Sequence, residues 1–175
     1  MSLTRHVVSH THWDREWYRP FQVFRSRLVD VVDAALDLLQ TDPEYRFFHL
    51  DGQTIVLEDY LEIRPEREQA LRQRIKEGRL LVGPWYAQPD EFLVSGEAMI
   101  RNLQLGRRQA QSFGACMDLG YLPDSFGHAS QMPQIFAGFG FPAAILFRGV
   151  TSDHGKWPVQ WRGADGTRLL TVKLP

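Results

Sequence analysis

A chain of 175 residues with 43% hydrophobic content can bury one substantial core and is too apolar to be disordered. Its formal net charge of -1, with Lys and Arg scattered among acids, provides no field to gather phosphate backbones or anionic lipid, so nucleic acid and membrane are set aside as partners. No run approaches the roughly 18 apolar residues of a spanning helix, and Met1 opens no secretory-signal pattern. The expected compartment is the cytoplasm. Cys116 is the only cysteine, which leaves any metal to imidazole and carboxylate ligands.

Short apolar runs alternate with helical patterns, the mark of an α/β fold built on a mostly parallel β-sheet with flanking helices. The first strand is expected over residues 5–9 and the first helix over 24–40, with Leu28, Val31, Val32, Ala35, Leu38 and Leu39 on its apolar face. A second strand at 47–50 leads to helical segments at 54–63 and 65–77, the latter with Pro65 in its first turn and Gly78 at its C-terminal cap. A third strand, 79–82, runs into a long polar loop, after which Ser95 caps a helix to about residue 112. A fourth strand near 119–122, a short helix at 132–138 and a fifth strand at 143–147 follow. Residues 159–162 and 168–174, joined by GADGT, have the pattern of an antiparallel hairpin.

No repeat or linker interrupts residues 1–175, which read as one domain. Five strands of βα type are too few for a closed β/α barrel of roughly eight. The expectation is therefore part of a larger domain, whose incomplete sheet edge would favour self-association.

In parallel α/β folds the chemistry gathers where strands end. Here the strand ends carry HTHWDREW, Asp51, WYAQPDE, PDSFGH and Arg148. His12 and Asp14, two apart in an extended segment, point the same way and can reach one ion at about 2.0–2.2 Å. Asp124 can bring a third ligand from the fourth strand, although it can equally cap the following helix. His10 is either a further ligand, as in an amidohydrolase or deacetylase, or a group hydrogen-bonded behind the ligands. Trp17, Trp85, Tyr86 and Phe126 supply aromatic faces for a sugar ring or packing for the loops. Arg148 can pair with Asp124 or sit exposed, while Asp51 is a site acid or a turn-former. Asp90 and Glu91 carry no assigned role, and His6, His49, His128 and His154 read as structural.

The stretches HTHWDREWY, LDGQTIVLEDY, GPWYAQPDE and GYLPDSFGHASQMPQI resemble, in order, those of bacterial family 38 α-mannosidases, over nearly the whole chain. The resemblance implies the first part of a seven-stranded, barrel-like glycosidase domain that cleaves terminal α-mannosides with retention. It implies one zinc ion on His12, Asp14 and Asp124, with Asp124 also the nucleophile and Arg148 in contact with it. Trp17 would stack on mannose, Phe126 would line the sugar pocket, and Asp51 and Trp85 are carried as further substrate contacts. The family's fourth ligand, a histidine, and its acid/base carboxylate match no residue here, so this polypeptide by itself is expected to bind metal weakly and to be inactive. A sugar-binding module without catalysis is the reading from a different class.

Overall fold

The computed structural model describes residues 6–151 and 157–174, so Arg5 of the expected first strand and His154 lie outside the described residues. The strands are short: β1 is Ser9–His10, β2 Phe48–His49, β3 Leu80–Leu81, β4 Gly120–Leu122 and β5 Ala143–Leu146. They stand at or within the expected runs, except that β1 includes His10, where pairing brings it level with His49. The expected hairpin is β6, Val159–Arg162, and β7, Arg168–Lys173, paired antiparallel.

These strands form two sheets rather than one. The first has the order β1-β2-β3, all parallel, and the second has the order β4-β5-β7-β6, parallel except for β6. The single mostly parallel sheet is thereby corrected, and no closed seven-stranded barrel is formed by the described residues. Between β2 and β3 the chain also makes a parallel bridge just past the strand ends, Gln53 to Trp85.

Helix α1 spans Phe21–Thr41 and α2 spans Ile55–Leu61. A 3-10 turn at Pro65–Arg67 leads into α3, Glu68–Lys76, which closes with Gly78 at a φ of 70°. The buried face of α1 is Phe24, Arg25, Leu28, Val29, Val32, Ala35, Leu36 and Leu39. Leu38, expected inside, is exposed, because residues 28, 32, 35, 36 and 39 keep to one stripe at 3.6 residues per turn and position 38 falls off it.

Helix α4, Gly96–Phe113, begins as expected with the Ser95 hydroxyl accepting from the Ala98 amide at 3.1 Å. It joins two apolar cores. Ala110 and Phe113 pack with α1–α3, β2 and β3, whereas Met99 and Leu103 pack with Trp85, Leu122, Phe136 and Leu146. Full burial of a Leu, Phe or Met side chain among these contributes about 1.5–3 kcal/mol. Helix α5, Met132–Gly138, covers the second sheet through Met132 and Phe136. No described helix is long and apolar enough to cross a membrane.

Candidate active site

The loop after β1 is tied down by residues that follow β2. Asp51 Oδ2 accepts from the Trp13 amide at 2.7 Å, and Gln53 Nε2 donates to the Trp13 carbonyl at 2.7 Å. Arg15 grips Asp59 with two bonds of 2.6 and 2.8 Å. The bidentate fork fixes direction as well as distance.

His12 stands on this anchored loop with its Nδ1 3.1 Å from Asp51 Oδ1. Asp51 is fully buried and also accepts from Gln53 Nε2 at 2.8 Å, while Gln88 reaches both its backbone carbonyl and its side chain. A carboxylate behind Nδ1 fixes the ring's orientation and leaves Nε2 for a ligand in front. The hydrogen bond to Asp51 raises the His12 pKa above its usual value; burial opposes this, and the charges of Asp51, Asp124 and Asp14 add to it.

His12 Nε2 faces two carboxylates, Asp124 Oδ2 at 3.5 Å and Asp14 Oδ1 at 3.7 Å. One ligand atom from each of His12, Asp14 and Asp124 lies within 4.8 Å of the others. An imidazole flanked by two carboxylates carries an excess of negative charge that a divalent cation would neutralise, so these residues fit a metal. They form the only such group found among the described residues. His10 is outside it, exposed and with its Nδ1 at 3.3 Å from the carbonyl of Thr11.

The other Asp124 oxygen, Oδ1, receives Arg148 Nε at 2.9 Å. The same guanidinium lies over the Phe126 ring, 5.2 Å from its centroid. Phe126 and Trp17 are exposed and free to meet a ligand. Asp51 and Trp85 are not: neither has exposed surface, and the Trp85 indole donates to the Tyr121 carbonyl at 2.8 Å. The front of the site opens on a cleft of about 740 Å³ lined by His10, His12, His49, Tyr121, Asp124 and Arg148.

Sequence reasoning missed the Asp51–Gln53–Gln88 support and a buried pair, Glu91 and His128, joined at 2.7 Å. For the first, the one available signal is Gln53 two residues beyond Asp51 on the same strand exit.

Strand ends thus bring an imidazole, an aspartate and an arginine to one open cleft, with the exposed Phe126 ring against Arg148, an arrangement of the kind found in α/β enzymes. Residues 2–175 match the model of the glycosyl hydrolases family 38 N-terminal domain. The chain belongs to that family. It is 45% identical over 99% of its length to a Halalkalibacterium halodurans protein named "Putative mannosylglycerate hydrolase", covering 21% of that protein. It is 32% identical over 95% of its length to human alpha-mannosidase 2C1, covering 16% of it. The crystal structure of an alpha-mannosidase from Enterococcus faecalis V583 superposes with a TM-score of 0.92 at 44% identity, over 95% of this chain and 19% of that one. The chain thus spans about a fifth of the length of these relatives.

Proposed function

We propose that this chain forms the metal-binding, nucleophile-bearing part of a retaining glycoside hydrolase that cleaves terminal α-mannosides. The observation that carries the reading is the position of Asp124, with one carboxylate oxygen held by Arg148 and the other turned to His12 and the Asp14 cluster. The names of the relatives, alpha-mannosidases and a mannosylglycerate hydrolase, supply the substrate class.

In this reading His12, Asp14 and Asp124 hold one zinc ion, with Asp51 orienting His12 from behind. When bound, the ion supplies Lewis-acid contacts to sugar hydroxyls. Asp124 attacks the anomeric carbon as the bond to the departing glycosidic oxygen breaks, and Arg148 keeps its carboxylate aimed. Trp17 and Phe126 present aromatic faces to the C–H face of the ring, while Asp51 and Trp85 act from beneath the site rather than by touching the sugar. The strands belong to a barrel-like domain larger than these residues, in keeping with the fraction of each relative that is matched. That domain would supply the general acid and a further histidine ligand. A single cysteine in 175 residues accords with a reducing cytoplasm.

The test is hydrolysis of an aryl α-mannoside by the full-length protein before and after chelation, with the first-formed anomer read by proton NMR. Activity that disappears on chelation, returns with zinc and releases the α-anomer first supports the reading. A β-anomer first, or activity indifferent to chelation, contradicts it.

A further inference from the structure

Arg148 reaches Asp124 from the segment after β5, and its backbone is held at both sides. Its amide donates to the Pro123 carbonyl at 3.3 Å. Its own carbonyl lies 3.0 Å from His128 Nε2. A carbonyl can only accept, so Nε2 is the donor, and the proton on that nitrogen is fixed by the contact. The opposite ring nitrogen, Nδ1, lies 2.7 Å from Glu91 Oε1 and shares a second proton with it, since the first is on Nε2, and the other Glu91 oxygen accepts from the Ala129 amide at 2.6 Å. Trp161 of β6 meets the imidazole edge-on at a centroid distance of 5.4 Å.

Both polar side chains are deeply buried, His128 with 5% and Glu91 with 0% of its side chain exposed. Burying them without hydrogen bonds would be costly, and here every ring nitrogen and both carboxylate oxygens are engaged. The packing around them is tight. Gly149 has a φ of 81°, and a Cβ there would stand 2.5 Å from the Ser125 carbonyl oxygen and 2.8 Å from His128 Nε2. Three strand-end loops are therefore locked together: Glu91 comes from the loop after β3, His128 from the loop after β4 and Arg148 from the segment after β5.

We propose that Glu91 and His128 are positioning residues for the Arg148–Asp124 pair, setting the direction of the Arg148 side chain through its backbone carbonyl. Neither touches the cleft ligand in this account. Fixing the peptide plane after Arg148 fixes its Cα–Cβ direction, and with it the 2.9 Å contact to Asp124 Oδ1. The assignment deepens the proposed glycosidase reading and rests on it for its kinetic consequence.

The experiment is steady-state kinetics on an aryl α-mannoside with the full-length protein, comparing wild type with Glu91→Gln, His128→Leu and His128→Gln, each checked for folding by thermal melting. His128→Leu is expected to lower kcat about 10- to 100-fold, the range seen when hydrogen-bond partners behind a site are removed, with KM changed by about twofold or less. His128→Gln, whose amide can still donate to the Arg148 carbonyl, recovers part of the loss, and Glu91→Gln gives an intermediate loss. Combined with Arg148→Ala, His128→Leu should add less than about twofold, because residues acting through one another are non-additive. An active wild type with unchanged kcat in His128→Leu, or with a full independent loss in the Arg148→Ala background, overturns the proposal. A wild type without mannosidase activity counts against the proposed function instead. Positioning is then read from the crystal structure of His128→Leu: loss of the Arg148–Asp124 contact supports it, and retention of that contact overturns it.

Discussion

The His12 imidazole hydrogen-bonds through Nδ1 to the buried carboxylate of Asp51 at 3.1 Å and thereby turns Nε2 toward Asp14 and Asp124. The backing carboxylate fixes both tautomer and ring direction. Replacing Asp51 with Ala should weaken divalent-ion binding by about 10- to 100-fold, measured by competition with a chromophoric chelator at fixed pH. Undiminished affinity in that variant would mean the Asp51 contact does not organise the ligand set.

Arg148 donates to Asp124 from the side opposite His12. Hydrogen bonds to charged groups contribute about 1.5–3 kcal/mol, which corresponds to a loss of roughly ten- to a hundredfold in kcat for Arg148→Ala if the contact is made in the transition state. Steady-state kinetics should show Arg148→Lys losing less, since it keeps the charge but not the planar fork. Equal kcat in all three proteins would exclude Arg148 from holding Asp124 in its proposed role.

Two histidines tie stability to pH with opposite signs. Burial pushes His49 down from 6.5 to about 4, with the Asp51 charge opposing this and His10 adding to it. Between those values the unfolded chain binds a proton that the folded chain excludes. The His49 contribution, up to about 3 kcal/mol, is therefore present above pH 6.5 and lost as pH falls toward 4. His12 is raised above 6.5, so its contribution is complete below pH 6.5 and is lost as pH rises through its folded value. Melting temperatures of His49→Phe should fall less steeply than wild type between pH 6.5 and 4. Parallel profiles would contradict the assignment.

Much of this architecture is legible in the residues themselves. The periodicity of α1, the Ser95 cap and the GADGT hairpin are local signals, and local chemistry places them within a few residues. The grouping of His12, Asp14 and Asp124 is also legible, because strand ends share one rim of an α/β fold. What is not legible is made by contacts across long stretches of chain. Asp51 lies 39 positions from His12, and Glu91 lies 37 from His128, and no periodicity links such pairs. Trp85 illustrates the opposite error: an aromatic in a polar loop suggests a ligand contact, yet its indole finds the Tyr121 carbonyl and the residue is fully buried. The division into two sheets depends on strand pairing, which short apolar runs leave open.

Helix α4 crosses the loop after β3 at Gly106, where a Cβ would stand 2.2 Å from the Trp85 carbonyl carbon and 2.3 Å from the Tyr86 nitrogen. Because the obstacle is backbone, Gly106→Ala should cost at least about 1–3 kcal/mol. Gly138→Ala, with nothing within 4 Å, should leave stability unchanged or slightly higher. Chemical denaturation of both variants checks the contrast. Equal midpoints would show that α4 does not pack this closely.

Asp124 is the central residue of the proposed site, since it joins the His12–Asp14 group to Arg148. The most direct measurement is hydrolysis of an aryl α-mannoside by the full-length, zinc-supplied protein, comparing wild type with Asp124→Asn. The account predicts an active wild type and a variant that folds but no longer turns over; turnover at the wild-type rate by Asp124→Asn would contradict it.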